Sequence, residues 1–263
     1  MKFPPKEVCP RIKLSEDEKQ QAESYVFNSA LRGLHDKQLI GFKIFERLRY
    51  LKSKALKDCR RKIQLEFNVT LLNEFNDLIL IKRRGLRGEL AFHKFRNSDI
   101  RIAFAVANTY IYHNLKLRNS EKILFPRVLP DACLDSSLFN NKCRKTIDIK
   151  TQGRKERNEF VGLSIYNESW KKWKARGTLA NFYVAISEQK RKTYPYKILY
   201  YAILGYAFSW EIDDVIPHRG EKVNYTRGFR FIHFYNLHPI DLLTPSLYKN
   251  SVTVLDRINQ LNI

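Results

Sequence analysis

Acidic residues are scarce in this chain: Asp and Glu number 27 against 48 Lys and Arg, a formal net charge of +21 over 263 residues. An excess of that size attracts polyanions, and nucleic acid is the default partner it implies. An anionic membrane surface is the rival, but it requires an amphipathic anchor or a lipidation signal, and the sequence shows neither. Cysteine is sparse as well. Cys9, Cys59, Cys133 and Cys143 are widely spread and form no CxxC pair, which excludes a disulfide framework and a zinc knuckle. Cys133 and Cys143 would need two further ligands to hold zinc, and none is in reach by spacing. There is no apolar run of membrane-spanning length and no charged-then-apolar leader, so the expectation is a soluble, intracellular, cytoplasmic protein with no membrane partner. Internal repeats and low-complexity tracts are missing too. What is present suffices for a folded core, because hydrophobic residues make up 44% of the chain and its length allows one elaborated domain or a core with an added helical module.

The stretch from Leu124 to Gln152 organises the rest. It holds the chain's only Pro-Asp pair, Pro130-Asp131, and after a turn-rich gap the apolar strand Ile147-Asp148-Ile149-Lys150. Side chains alternate along a strand, so Ile147 and Ile149 enter a core while Asp148 and Lys150 stand together on a wetter face. A hairpin between Asp131 and Asp148 would bring two carboxylates and one ammonium together. Two carboxylates are hard oxygen ligands for Mg²⁺, with Mn²⁺ as a substitute. Such an ion polarises a phosphoryl oxygen, and a neighbouring lysine stabilises transition-state charge or positions the attacking water. The bland alternative is a surface hairpin with an ordinary Asp–Lys pair. Acid-x-Lys triplets occur at Asp17–Lys19, Asp148–Lys150 and Glu188–Lys190. Only the middle one lies in a β-branched run with a Pro-Asp a short hairpin upstream.

Pro130-Asp131 followed by Asp148-Ile149-Lys150 resembles the signature of the PD-(D/E)xK nuclease superfamily, the restriction-endonuclease-like fold, over residues 85–212. The resemblance implies that Asp131 and Asp148 bind Mg²⁺ and that Lys150 orients or activates the attacking water. It also implies a glutamate presented to the metal from a helix ahead of the catalytic strands. Gly88-Glu89-Leu90-Ala91-Phe92 is similar to that helix, with Glu89 the candidate; the alternative is a surface glutamate in a first helical turn. Gln152, two residues beyond Lys150, occupies a place where some family members carry an extra polar residue, and would hold a water or a phosphate.

Ahead of this region, Ser15-Glu16-Asp17-Glu18 matches a capping box, predicting a helix from there to about Arg32 with Gly33 as its stop. A second helix reads from about Asp36 to Glu66. Glu46 and Asp58 are the only acids between Phe42 and Lys62, so its cationic face, with Lys54, Lys57 and Arg61, favours phosphate contact over mere solvation. Residues 67–84 are ambiguous between helix and strand, and 100–117 read as core, leaning to strand. Arg154, Lys155 and Arg157 follow the catalytic strand where a phosphate backbone would pass. Trp170 and Trp173 read as packing rather than base stacking. Residues 181–187 and 197–204 read as strands, after which Gly205 to Glu211 turns away. His113 reads as structural, and the set His218, His233 and His238 lacks the further ligands of a histidine–metal nuclease.

The expectation is therefore an α/β protein with a restriction-endonuclease-like mixed sheet flanked by helices. A basic helical region, 1–84, precedes a catalytic domain with a C-terminal extension, 85–263. The expected activity is Mg²⁺-dependent hydrolysis of DNA phosphodiesters, foremost as a site-specific, double-strand, restriction-type endonuclease. Alternatives are a homing, junction-resolving or repair nuclease, or a DNA- or RNA-binding protein without turnover. Paired cutting of a two-fold symmetric site would favour a homodimer.

Overall fold

The computed structural model describes residues 9–49, 67–96, 131–133, 146–153, 162–190, 198–216 and 228–243. The candidate phosphate contacts Lys54, Lys57, Arg61, Arg154, Lys155 and Arg157 lie outside these, as do Pro130, His113, His218 and the core reading of 100–117. The chain divides into two compact units, one spanning Lys13–Pro126 and the other combining Met1–Ile12 with Arg127–Ile263. No helix among the described residues is long and apolar enough to cross a membrane.

The first unit is helical. Helix α1 (Glu16–Asp36) starts at the capping box as expected: Ser15 Oγ accepts from Glu18 N and Glu18 Oε2 accepts from Ser15 N. It runs through Gly33 rather than stopping there, and ends before Gln38, whose φ of 60° breaks the helix. Gly33 serves close approach instead, since a Cβ there would sit 3.2 Å from the Leu78 methyls. Helix α2 (Phe42–Arg49) is the described part of the second expected helix, beginning six residues later than Asp36. Helix α3 (Val69–Phe95) settles the ambiguous 67–84 stretch as helix, because Asn68 Oδ1 accepts from Leu71 N and caps it. Phe75, Leu78, Ile79, Leu86 and Leu90 bury one face at helical spacing. Phe27 of α1 meets Phe75 edge-on at 5.7 Å, and Glu23 accepts from Arg83 and Arg87. This helix crosses the boundary expected between residues 84 and 85. Glu89 accordingly lies near the end of a 27-residue helix, not in a first turn.

The second unit is built on a five-stranded mixed sheet. Its strands are β1 (Arg11–Ile12), β2 (Ala132–Cys133), β3 (Thr146–Gly153), β5 (Phe182–Lys190) and β6 (Ile198–Phe208), in the order β1-β6-β5-β3-β2. Only β3 and β5 are parallel. Parallel neighbours need a crossover, and here it carries β4 (Gly162–Tyr166) and helix α4 (Asn167–Ala175). Strand β4 pairs with β7 (Phe229–His233) in a separate ribbon. Trp170 of α4, Leu163 and Ile165 of β4 and Ile232 of β7 cluster with Tyr183, Ala185, Leu204 and Ala207 of the sheet. The chain is thus mixed α/β with a mixed sheet.

Strand β6 extends past the expected end at Leu204 to Phe208, and helix α5 (Ser209–Asp214) follows. Gly205 does not turn the chain away. Its φ of 144° accommodates a register shift against β5 and admits the backbone of His238, which exchanges both main-chain hydrogen bonds with Tyr206. A Cβ at Gly205 would lie 2.5 Å from His238 O, whereas at Gly177 (φ 62°) it would meet nothing. Gly205→Ala is expected to cost about 2–4 kcal/mol through strain plus clash, and Gly177→Ala about 1 kcal/mol through strain alone. Urea unfolding of both variants measures the difference, and equal losses would refute the close-approach role.

Candidate active site

Strand β3 sorts its side chains as the alternation requires. Ile147 and Ile149 are 0% and 4% exposed, while the Asp148 and Lys150 side chains retain about a quarter of their accessible surface. Lys150 Nζ donates to Asp148 Oδ1 at 2.6 Å. Antiparallel pairing of β2 with β3 sets Ala132 opposite Ile147 and Cys133 opposite Thr146, and Asp131 is the residue immediately ahead of β2. The Asp131 carboxylate is fixed there by the main chain: Ile149 N donates to its Oδ2 at 2.6 Å. Asp131 is thus held against β3, one residue along from Asp148.

Register with β5 supplies a floor. Asp148 lies beside Tyr183, Lys150 beside Ala185 and Gln152 beside Ser187. The Tyr183 hydroxyl accepts from Ala180 N, and its ring lies 5.4 Å from that of Trp170. Burial pushes the Tyr183 phenol well above its usual range, and the charges of Asp148 and Asp131 push it the same way. Gln152 shares the Asp148–Lys150 face, and that face continues along β5 into the buried pair Ser187 and Gln189, joined by Gln189 Nε2 donating to Ser187 Oγ at 2.7 Å.

Helix α4 forms a wall. Trp170 is fully buried, and its Nε1 donates to Asp213 Oδ1 at 3.0 Å, which ties α4 to α5. Trp173, one turn on, is only partly buried, and the Lys150 ammonium sits 4.7 Å from the centre of its ring. Packing is the right reading for Trp170 but half the story for Trp173. The doubled Trp in Ser169–Arg176 was the available signal. Nothing local distinguishes which ring reaches Lys150, and Tyr183 gave no signal at all, because its role depends on the β3–β5 register.

Glu89 belongs to the helical unit. His233 Nδ1 accepts from Tyr235 N, and His238 Nε2 pairs with Glu211 Oε1 at 2.7 Å. Cys9 is buried and its thiol is pushed up to about 11, chiefly by desolvation, consistent with an inert thiol. Among the described residues no three His, Cys, Asp or Glu side chains gather as a metal-ligand set. Two carboxylates still fit Mg²⁺, which commonly takes one or two with waters and substrate phosphate filling its octahedron.

Two predictions follow from this geometry. Asp131→Ala leaves the Ile149 N–H without its acceptor and should lower stability by about 1–3 kcal/mol, while Asp131→Asn keeps an acceptor and should cost much less; urea titration of the two decides. The Asp213 carboxylate is held below its usual range by hydrogen bonds from Lys174 and then Trp170. A depressed folded-state pKa gives stability present above the unfolded value near 3.9 and lost as pH falls through the lower folded value. Asp213→Asn should flatten the stability–pH curve in that acid window and not above it, as read by thermal melts from pH 2 to 7. No family model, no curated protein and no solved structure matches this chain.

Proposed function

We propose that the protein is a Mg²⁺-dependent nuclease that hydrolyses DNA phosphodiester bonds at the Asp131–Asp148–Lys150 cluster. The observation that supports the reading is the Asp148–Lys150 pair on the polar face of β3, with the Asp131 carboxylate hydrogen-bonded to the main chain of the same strand. Asp131 and Asp148 are the residues that would hold the ion. When bound, it would supply Lewis-acid polarisation of the phosphoryl group and a more acidic water. In the reaction a water oxygen bonds to phosphorus, the ester P–O bond breaks, and the leaving oxygen takes up a proton. Lys150 brings its positive charge to the phosphoryl oxygens as their negative charge grows, and helps orient the water. Asp148 holds the Lys150 amine in place by their 2.6 Å contact. The net charge of +21 supplies affinity for the polyanion, independent of the chemistry. A site-specific, double-strand, restriction-type enzyme acting as a homodimer is the form we favour, with homing, junction-resolving and repair roles served by the same residues.

One observation favours a second reading, a nucleic-acid-binding protein without turnover: Lys150 is engaged by Asp148 and Trp173, as a purely structural lysine would be. Single-turnover cleavage beside a binding titration at fixed salt separates the two. Lys150→Ala should slow cleavage by about 10²–10³-fold, with the DNA Kd changed by roughly one phosphate contact. Asp148→Ala should abolish cleavage, and EDTA should silence the parent. Parent-like rates in Lys150→Ala would sink the mechanism. A parent that cuts no DNA with Mg²⁺ or Mn²⁺ would favour the binding reading.

A further inference from the structure

A lysine on a four-carbon stem is a mobile point charge with three rotatable donors. In a protein meant to meet a polyanion, a loose ammonium would move to whichever phosphate arrived first. Lys150 is held on two sides: its Nζ donates to Asp148 Oδ1 at 2.6 Å and lies 4.7 Å from the Trp173 ring centre. The negative face of an indole attracts an ammonium without offering a proton acceptor, so it restrains position while leaving the three N–H groups available for oxygen atoms.

Trp173 is itself firmly placed. Its carbonyl accepts from Arg176 N at 3.2 Å, Thr178 N at 3.0 Å and Thr178 Oγ1 at 3.3 Å, closing the C-terminal end of α4. Three residues back, Trp170 anchors the same helix in the core and to Asp213. Trp170 is fully buried in the core, whereas the partly buried Trp173 packs against the same cluster and also presents its ring to the Lys150 ammonium on the polar side of β3.

We propose that Trp173 is a positioning residue for Lys150: its ring face keeps the ammonium beside the Asp131–Asp148 pair, so that it meets the reacting phosphoryl group and not a neighbouring one. The proposal rests on the nuclease reading. Trp173 touches no reacting atom and acts only through the lysine.

The test has a spectroscopic arm and a kinetic arm. In the full-length parent labelled at lysine, the Lys150 Hε protons should show an upfield ring-current shift that disappears in Trp173→Leu and persists, reduced, in Trp173→Phe. In single-turnover cleavage at fixed salt, Trp173→Leu should lower the rate roughly two- to thirty-fold, the range expected for loss of one cation–π contact, with DNA Kd unchanged. Trp173→Phe should recover most of that loss, and Trp173→Leu should add nothing in a Lys150→Ala background. Equal losses in the Leu and Phe variants, or losses additive with Lys150→Ala, would reduce Trp173 to packing. Should Trp173→Leu fail to fold, the parent spectrum and the Phe variant still decide. Normal parent cleavage without the ring-current shift overturns this proposal alone. No cleavage by the parent with Mg²⁺ or Mn²⁺ overturns the nuclease reading, and this role for the lysine with it.

Discussion

The parallel pairing of β3 with β5 is the constraint on which the sheet unit depends. It runs unbroken from Ile147 beside Phe182 to Gly153 beside Glu188. Because parallel neighbours cannot be joined by a tight turn, the chain between them must cross a face of the sheet, and the segment that does so contains β4 and α4. The register decides the faces: Asp148 and Lys150 fall on the side of Tyr183 and Ala185, the side that packs against Trp170. A slip of one residue would exchange them with Ile147 and Ile149, which are buried. It would drive a carboxylate and an ammonium into an apolar layer at a cost of several kcal/mol. Fold and candidate site are therefore specified by the same alignment of two strands.

This explains what could be read from the residues and what could not. Ile-Asp-Ile-Lys declares its two faces through period-two alternation, and Ser15 with Glu18 declares a helix start through hydrogen bonds closed within four residues. Both are local. The glycines were misread because a glycine serves two ends, conformational freedom and close approach, and sequence does not say which. Gly33 admits Leu78 within a continuing helix, and Gly205 admits His238 across a continuing strand. Likewise Glu89 read alternatively as a residue of a first helical turn, yet the helix capped by Asn68 runs straight through Gly85 and Gly88 to reach it. The expense of about 1 kcal/mol for a mid-helix glycine is outweighed where the buried face of α3 packs on α1. Tyr183 and Trp173 were illegible as site residues for a further reason: each meets β3 only through the crossover and the register, which no window of sequence contains.

The charge balance of the cluster bears on how its parts would work together. Two carboxylates and one ammonium leave a local excess of one negative charge, within a chain of formal net charge +21. On the nuclease reading the long-range field would draw the polyanion in, but at the last few ångströms Asp131 and Asp148 would repel its phosphate. Lys150 cannot cancel both, and its ammonium is already shared with Asp148 and the face of Trp173. On the nuclease reading, close approach of a phosphodiester therefore requires added positive charge between the carboxylates and the phosphate, so cation binding and productive substrate binding must be thermodynamically coupled. The hydrogen bond from Ile149 N to Asp131 matters here as well. A carboxylate oriented by the main chain of the very strand that carries Asp148 needs little rearrangement when that charge arrives, which is the form of preorganisation that electrostatic catalysis depends on.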